Sequence, residues 1–108
     1  MFSMNEILRA LAEPTRRSIV EQLAAGPQPV SEIAKRLNAS LSTTVQHLTV
    51  LEASGLVRTQ KTGRVRTCHL RPDTLKQAED WFAKRRERLQ RSFDRLEQYL
   101  DEKGDLNS

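Results

Sequence analysis

Two short stretches of this chain carry side chains that could do chemistry on a partner. The first holds Ser40, Ser42, Thr43, Gln46 and His47, hydroxyl, amide and imidazole groups that exchange hydrogen bonds with little charge. The second holds Lys61, Arg64 and Arg66, and over residues 58–71 five Lys and Arg stand against no Asp or Glu. The two signs nearly balance elsewhere, so the formal net charge of +4 originates in that segment. Short polar groups at helical spacing suit the floor of a duplex groove: Gln pairs with adenine through two bonds, Ser and Thr bond bases or phosphates, and a Thr methyl touches thymine. Lys and Arg beside them suit phosphates. No Arg joins the polar set, so direct base readout is expected to be modest, with phosphate contacts carrying much of the affinity.

Simpler roles compete with these. Ser42, Thr43 and Gln46 also fit plain solvated helix positions, and His47 fits equally well as a side chain packed on a neighbouring helix or bonded to backbone. Lys and Arg deter unwanted pairing at a sheet edge. Five cations without an acid exceed what that protection requires.

Other chemistries find no foothold. There is no glycine-rich phosphate loop and no Ser/His/Asp arrangement, and the carboxylates are scattered over charged segments, so the chain does not read as an enzyme. A lone cysteine, Cys68, excludes an internal disulfide, and two histidines leave few soft ligands. Cys68 and His69 are neighbours on a predicted strand and point to opposite faces, so they cannot share one ion. No cofactor or metal is expected. Cys68 as a redox sensor competes with Cys68 as a small core hydrophobe.

At 108 residues the chain suits a single domain, expected over 1–103 with a frayed tail at 104–108. The long uncharged stretch over residues 38–51 is broken by Ser, Thr, Gln and His, well short of the roughly 20 apolar residues of a spanning helix. The opening MFSMNE lacks a basic segment followed by an apolar run. A cytoplasmic protein without a membrane partner is expected.

The elements that must position the two stretches follow from periodicity. Ile7, Leu8 and Leu11 predict a short helix from Met4 to Leu11; Pro14 opens a second, lined by Ile19, Val20 and Leu23 and stopped by Gly26-Pro27-Gln28-Pro29. Apolar positions from Val30 to Leu37 and from Leu41 onward, interrupted by Asn38-Ala39-Ser40, predict a helix-turn-helix. Ser40 caps its second helix, which runs to about Ser54 before Gly55. The inner face of that helix should be Thr44, Leu48 and Leu51, with Leu41 and Val45 nearby. Residues 56–61 and 64–70 read as a β-hairpin turning at Thr62-Gly63, which sets Lys61 opposite Arg64, Thr59 opposite Arg66 and Val57 opposite Cys68. One face would then be apolar at the base and cationic at the tip. After Arg71-Pro72, Asp73 should cap a last helix near 30 residues, roughly 45 Å long. Its stripe of Leu75, Phe82, Leu89 and Leu96, with Phe93 beside it, persists for about four heptads. So small a domain cannot cover that stripe, and a second copy of the chain is the expected partner. Leu8 is assigned to the same dimer contact. The run Lys84, Arg85, Arg86, Arg88, Arg91 and Arg95 should be a solvated face paired with Glu87 and Asp94.

The resulting order is mainly α with a small β-hairpin, a winged helix-turn-helix followed by a long C-terminal dimerisation helix. LAEPTRRSIVEQL from Leu11 to Leu23, VSEIAKRL from Val30 to Leu37, SLSTTVQHLTVLEASGLV from Ser40 to Val57 and the hairpin KTGRVRTCHL together resemble the ArsR family of small bacterial transcriptional regulators. The resemblance covers about residues 5–80. It implies a homodimer whose recognition helices enter successive major grooves of a palindromic operator on double-stranded DNA, and it implies repression, including repression of the protein's own promoter. Metal-sensing relatives carry a Cys-rich motif where this chain has SEIAKRL, or Asp and His on the last helix, which here lacks His. The resemblance is therefore to the branch without metal sites, and the nature of any small-molecule effector is left open. Glu13 replaces the Asp that relatives often carry before Pro14, and a slightly weaker cap is expected there. Two other functions fit the same elements: a winged helix that binds RNA or protein, and a coiled-coil adaptor working through its last helix.

Overall fold

The computed structural model describes residues 1–107, with side chains for residues 1–103. The elements run α1 (Met4–Leu11), α2 (Pro14–Leu23), β1 (Gln28–Pro29), α3 (Val30–Leu37), α4 (Leu41–Ala53), β2 (Val57–Thr62), β3 (Val65–Leu70) and α5 (Pro72–Asn107). Two compact units result: one spans Met1–Lys76, and the other starts at Gln77 and consists of the rest of α5. Among the described residues no helix is long and apolar enough to cross a membrane. The expected frayed tail, 104–108, falls outside the described side chains; the helix is described as far as Asn107, and Ser108 not at all.

In the first unit, Ile7, Ile19, Ile33, Leu51, Leu56, Val57 and Cys68 are fully buried, so α1 to α4, β2 and β3 each send at least one side chain into a common core, and Gln28 of β1 is buried at its edge. Each large aliphatic side chain so placed stabilises the fold by roughly 1.5–3 kcal/mol relative to exposure. The helix starts are closed locally. Ser3 Oγ accepts from the Glu6 N–H, and Ser40 Oγ accepts from the Thr43 N–H at 3.0 Å. Glu13 Oε2 accepts from the Arg16 N–H at 2.9 Å and so caps α2. Arg16 and Arg17 in turn donate to the carbonyls of Arg9, Ala10 and Leu11, satisfying the open end of α1.

Two left-handed turns set the direction of the recognition segment. Asn38, at φ 54°, ends α3 while the Ala39 N–H reaches the Ala34 carbonyl at 3.1 Å. Gly55, at φ 85°, ends α4 while the Leu56 N–H reaches the Leu51 carbonyl at 3.1 Å. Both are six-to-one closures of a helix C-terminus.

The hairpin corrects the predicted register. Lys61 stands opposite Arg66, Thr59 opposite Cys68 and Val57 opposite Leu70, with Thr62 and Val65 closing a connection made of Gly63 and Arg64. Gly63, at φ 63°, occupies the first loop position, where such turns favour glycine; a turn at Thr62-Gly63 would have put β-branched Thr there. The shift is by two residues, so every side chain keeps its face. A third strand was missed. Gln28 and Pro29 pair with Cys68 and Thr67, giving the order β1-β3-β2, because a two-residue strand between prolines has no periodicity to detect. Asp73 is also reassigned: α5 starts at Pro72, which suits a first helical position, and Asp73 lies in the first turn with a carboxylate 3.4 Å from Arg71.

At Gly55 a Cβ would run into the ring of Phe2, over which the Arg71 guanidinium lies at 5.0 Å. Gly55→Ala should therefore destabilise by about 1–3 kcal/mol from backbone strain alone, plus the clash. In a Phe2→Ala background the substitution should cost less, and urea denaturation of the four proteins measures both contributions.

Candidate nucleic-acid interface

Helix α4 is held by a narrow seam. Thr44, Leu48 and Leu51 are buried, and Thr44 Oγ1 donates to the Ser40 carbonyl at 2.9 Å, which satisfies its hydroxyl inside the core. The face opposite the seam carries Ser42 and Gln46, both exposed and without a side-chain hydrogen bond among the described residues. Their donors and acceptors are available to an outside partner. Ser40 and Thr43 are exposed at the helix start, and the Ser40 hydroxyl donates to Thr43 Oγ1 at 2.9 Å while serving as the cap. Ser40 is thus largely committed to the helix, whereas Thr43 keeps its own O–H.

His47 is placed on a different flank. It is half-buried, and its Nδ1 lies 3.8 Å from Glu13 Oε2 at the start of α2. Desolvation pushes the Glu13 carboxyl up, but the N–H groups of Arg16 and Thr15, the Thr15 side chain and His47 outweigh it and hold the group below its ordinary value. Leu41 and Val45, expected close to the inner face, are instead 57% and 44% exposed on the flank turned toward the hairpin. The sequence could not show this, since leucine and valine at helical spacing look the same whether a neighbour covers them or not.

Along the hairpin, burial grades from base to tip. Val57 and Cys68 are buried, Thr59 is half-buried, and Lys61, Arg64 and Arg66 are exposed. Lys61 and Arg66 oppose one another directly, an unfavourable pairing of like charges that is eased where the Arg66 guanidinium donates to Thr59 Oγ1 at 3.0 Å. Thr59 is itself held by α4: its N–H and its hydroxyl each lie 3.2 Å from Glu52 Oε1. This link between helix and wing was not foreseen, because Glu52 and Thr59 carry no motif. Arg64, at the turn, and Lys61 form no ion pair among the described residues.

Of the residues assigned to a dimer contact, Leu8 and Leu75 are half-buried in the first unit. On the second, Phe82, Leu89, Phe93 and Leu96 are 52%, 58%, 61% and 53% exposed. Trp81 meets Phe82 edge to face at 5.1 Å, and Arg85 lies over the Trp81 ring at 4.1 Å. The pairs expected between the basic run and Glu87 or Asp94 do not form among the described residues; Asp94 accepts from Gln90 instead, at 3.0 Å.

A capped helix-turn-helix, a cationic two-stranded arm beside it and a long trailing helix define a winged helix-turn-helix protein. Comparison with known proteins agrees. A helix-turn-helix domain family model matches residues 11–60. The HTH-type transcriptional regulator Rv2034 of Mycobacterium tuberculosis is 45% identical over 67 residues, 62% of this chain, which spans 63% of that regulator's length. The crystal structure of an ArsR family transcriptional regulator, RHA00566, matches 81% of this chain and 96% of its own at 41% identity and a TM-score of 0.75. The homodimeric winged helix-turn-helix DNA-binding domain Mb0332 of Mycobacterium bovis, a possible ArsR-family regulator, matches 81% of this chain and 82% of its own at 25% identity and a TM-score of 0.64. This chain belongs to the ArsR family of transcriptional regulators.

The base of the hairpin holds one strongly shifted group. Burial, with the Glu52 carboxylate near, pushes the Cys68 thiol from 9.0 up to about 11, against a smaller opposing pull from the His69 N–H. Cys68 is fully buried, and a buried protonated thiol is a poor nucleophile. In the folded protein at about pH 8 it should therefore resist an aromatic disulfide reagent and react promptly only in denaturant. Because the folded value is the higher one, the stability it contributes is full below pH 9.0 and is lost as pH rises toward about 11. Urea melts across that window should show the loss, and Cys68→Ala should lack that component.

Proposed function

We propose that this protein is a homodimeric, sequence-specific repressor that binds a palindromic operator on double-stranded DNA in the cytoplasm, with α4 in the major groove and the β2–β3 wing on adjacent phosphates. The observation that carries the reading is the unengaged polar face of Ser42 and Gln46 on a helix whose opposite seam is fully buried, next to the exposed Lys61, Arg64 and Arg66. Thr43 joins the groove-facing set at the helix start. Ser40 and His47 act mainly by holding the helix, Ser40 as its cap and His47 against Glu13. The exposed Phe82, Leu89, Phe93 and Leu96 support pairing with a second copy, since a stripe this long and apolar is rarely left to water. The dimeric Mycobacterium bovis relative points the same way. Repression, by occluding a promoter, is the sign the family resemblance implies. The reading includes no metal centre, because α3 offers only Glu32 and α5 has neither Cys nor His.

The experiment is recovery of genomic fragments by the purified protein, followed by affinity measurement over a range of salt. Lys61→Ala, Arg64→Ala or Arg66→Ala should weaken binding to every duplex and flatten the salt dependence by about one unit for each phosphate the variant no longer neutralises; an unchanged slope removes the wing from the interface. Recovered sites without two-fold symmetry would contradict the operator geometry. The protein should sediment as a dimer at micromolar concentration, and Phe93→Asp as a monomer with weaker affinity for two-half-site DNA.

A further inference from the structure

Helix α4 offers a duplex a second kind of surface beside its polar face, an inference that rests on the DNA-binding reading above. Leu41, Val45 and Val65, the last 50% exposed, line a notch of about 260 Å³ between the start of α4, the wing and the start of α3, and Arg64 and Arg66 line it too. Three aliphatic side chains left open in a polar and cationic surface are a feature the hydrogen-bonding face of Ser42 and Gln46 does not use. One link joins the two walls: Glu52, on the same flank of α4, accepts from Thr59 of β2, and Thr59 accepts from Arg66 across the hairpin.

Charge decides the occupant. With two arginines in its lining, no acidic residue over 58–71 and the nearby Glu52 carboxylate engaged by Thr59, the notch favours a polyanion over an apolar peptide. The apolar feature a duplex presents in its major groove is the thymine C5-methyl group. We propose that Val45 and Leu41 are specificity-determining residues that take thymine methyls into this notch, so that each half-site carries thymine where the wing flank of α4 enters the groove. Gln46 and Ser42 then read polar base edges on one side of the helix while Val45 and Leu41 read methyls on the other.

The test uses the full-length protein and one duplex, selected by it from a random library, synthesised with thymine and again with uracil at each thymine in turn. Uracil removes the methyl and nothing else. One to three positions per half-site should bind about fourfold more weakly as uracil, the change expected for one buried methyl-sized group, and Val45→Ala should bind thymine and uracil duplexes alike at those positions. Val45 is exposed and helical, so the variant should keep the wild-type melting temperature and dimer mass. Equal affinity for both duplexes, or selected sites without thymine there, overturns the proposal while leaving DNA binding intact. If Val45→Ala weakens both duplexes equally, the notch meets deoxyribose and the methyl reading is wrong. Absence of salt-sensitive binding to any duplex would instead overturn the underlying function, and this inference with it.

Discussion

The fold turns on the narrowness of the seam that anchors α4. Only Thr44, Leu48 and Leu51 of its thirteen residues are buried, and they must hold a helix whose opposite face stays available to a partner. A wider apolar face would hold it more firmly and leave less surface to read with. The shortfall is made up at the ends, where Asn38 and Gly55 close helix carbonyls in left-handed turns and Ser40 caps the free N–H groups. Orientation is thus set by backbone geometry at the two ends as much as by packing along the middle.

The wing depends on the same helix. Glu52, one residue past the seam, accepts from Thr59, and Thr59 accepts from Arg66, so an acid on the recognition helix indirectly orders a cation on the arm. An exposed carboxylate near phosphates would be repulsive. Here its bonds are turned toward the wing. The graded hairpin, buried at Val57 and Cys68 and exposed from Lys61 to Arg66, lets one end serve the core while the other serves a partner.

The cations of this chain have distinct duties that composition alone blends together. Arg16 and Arg17 are spent on the carbonyl end of α1, Arg71 lies over Phe2 and beside Asp73, and Arg85 covers Trp81. Lys61 and Arg64 keep their donors available, and Arg66 gives one to Thr59. Location is therefore a better guide to function than the total of +4.

Much of the architecture was legible from local rules. The helices from Met4 to Ala53, the break at Asn38-Ala39-Ser40, Ser40 as a cap and the apolar-to-cationic grade of the hairpin follow from periodicity, capping chemistry and strand alternation, all of which act within a few residues. What required the tertiary structure was everything that depends on a distant neighbour. The β1 strand exists only because β3 lies beside it; Leu41 and Val45 are open because nothing in the first unit covers that flank; His47 meets Glu13 across two helices; and the Glu52–Thr59 link joins a helix to a strand. The hairpin register lay between these cases, decided by which of two adjacent residues could take a positive φ, and glycine took the first loop position where threonine would have been strained. Side-chain type constrains what a residue can do locally, but whether it is covered, paired or left open is set by residues far away in the chain.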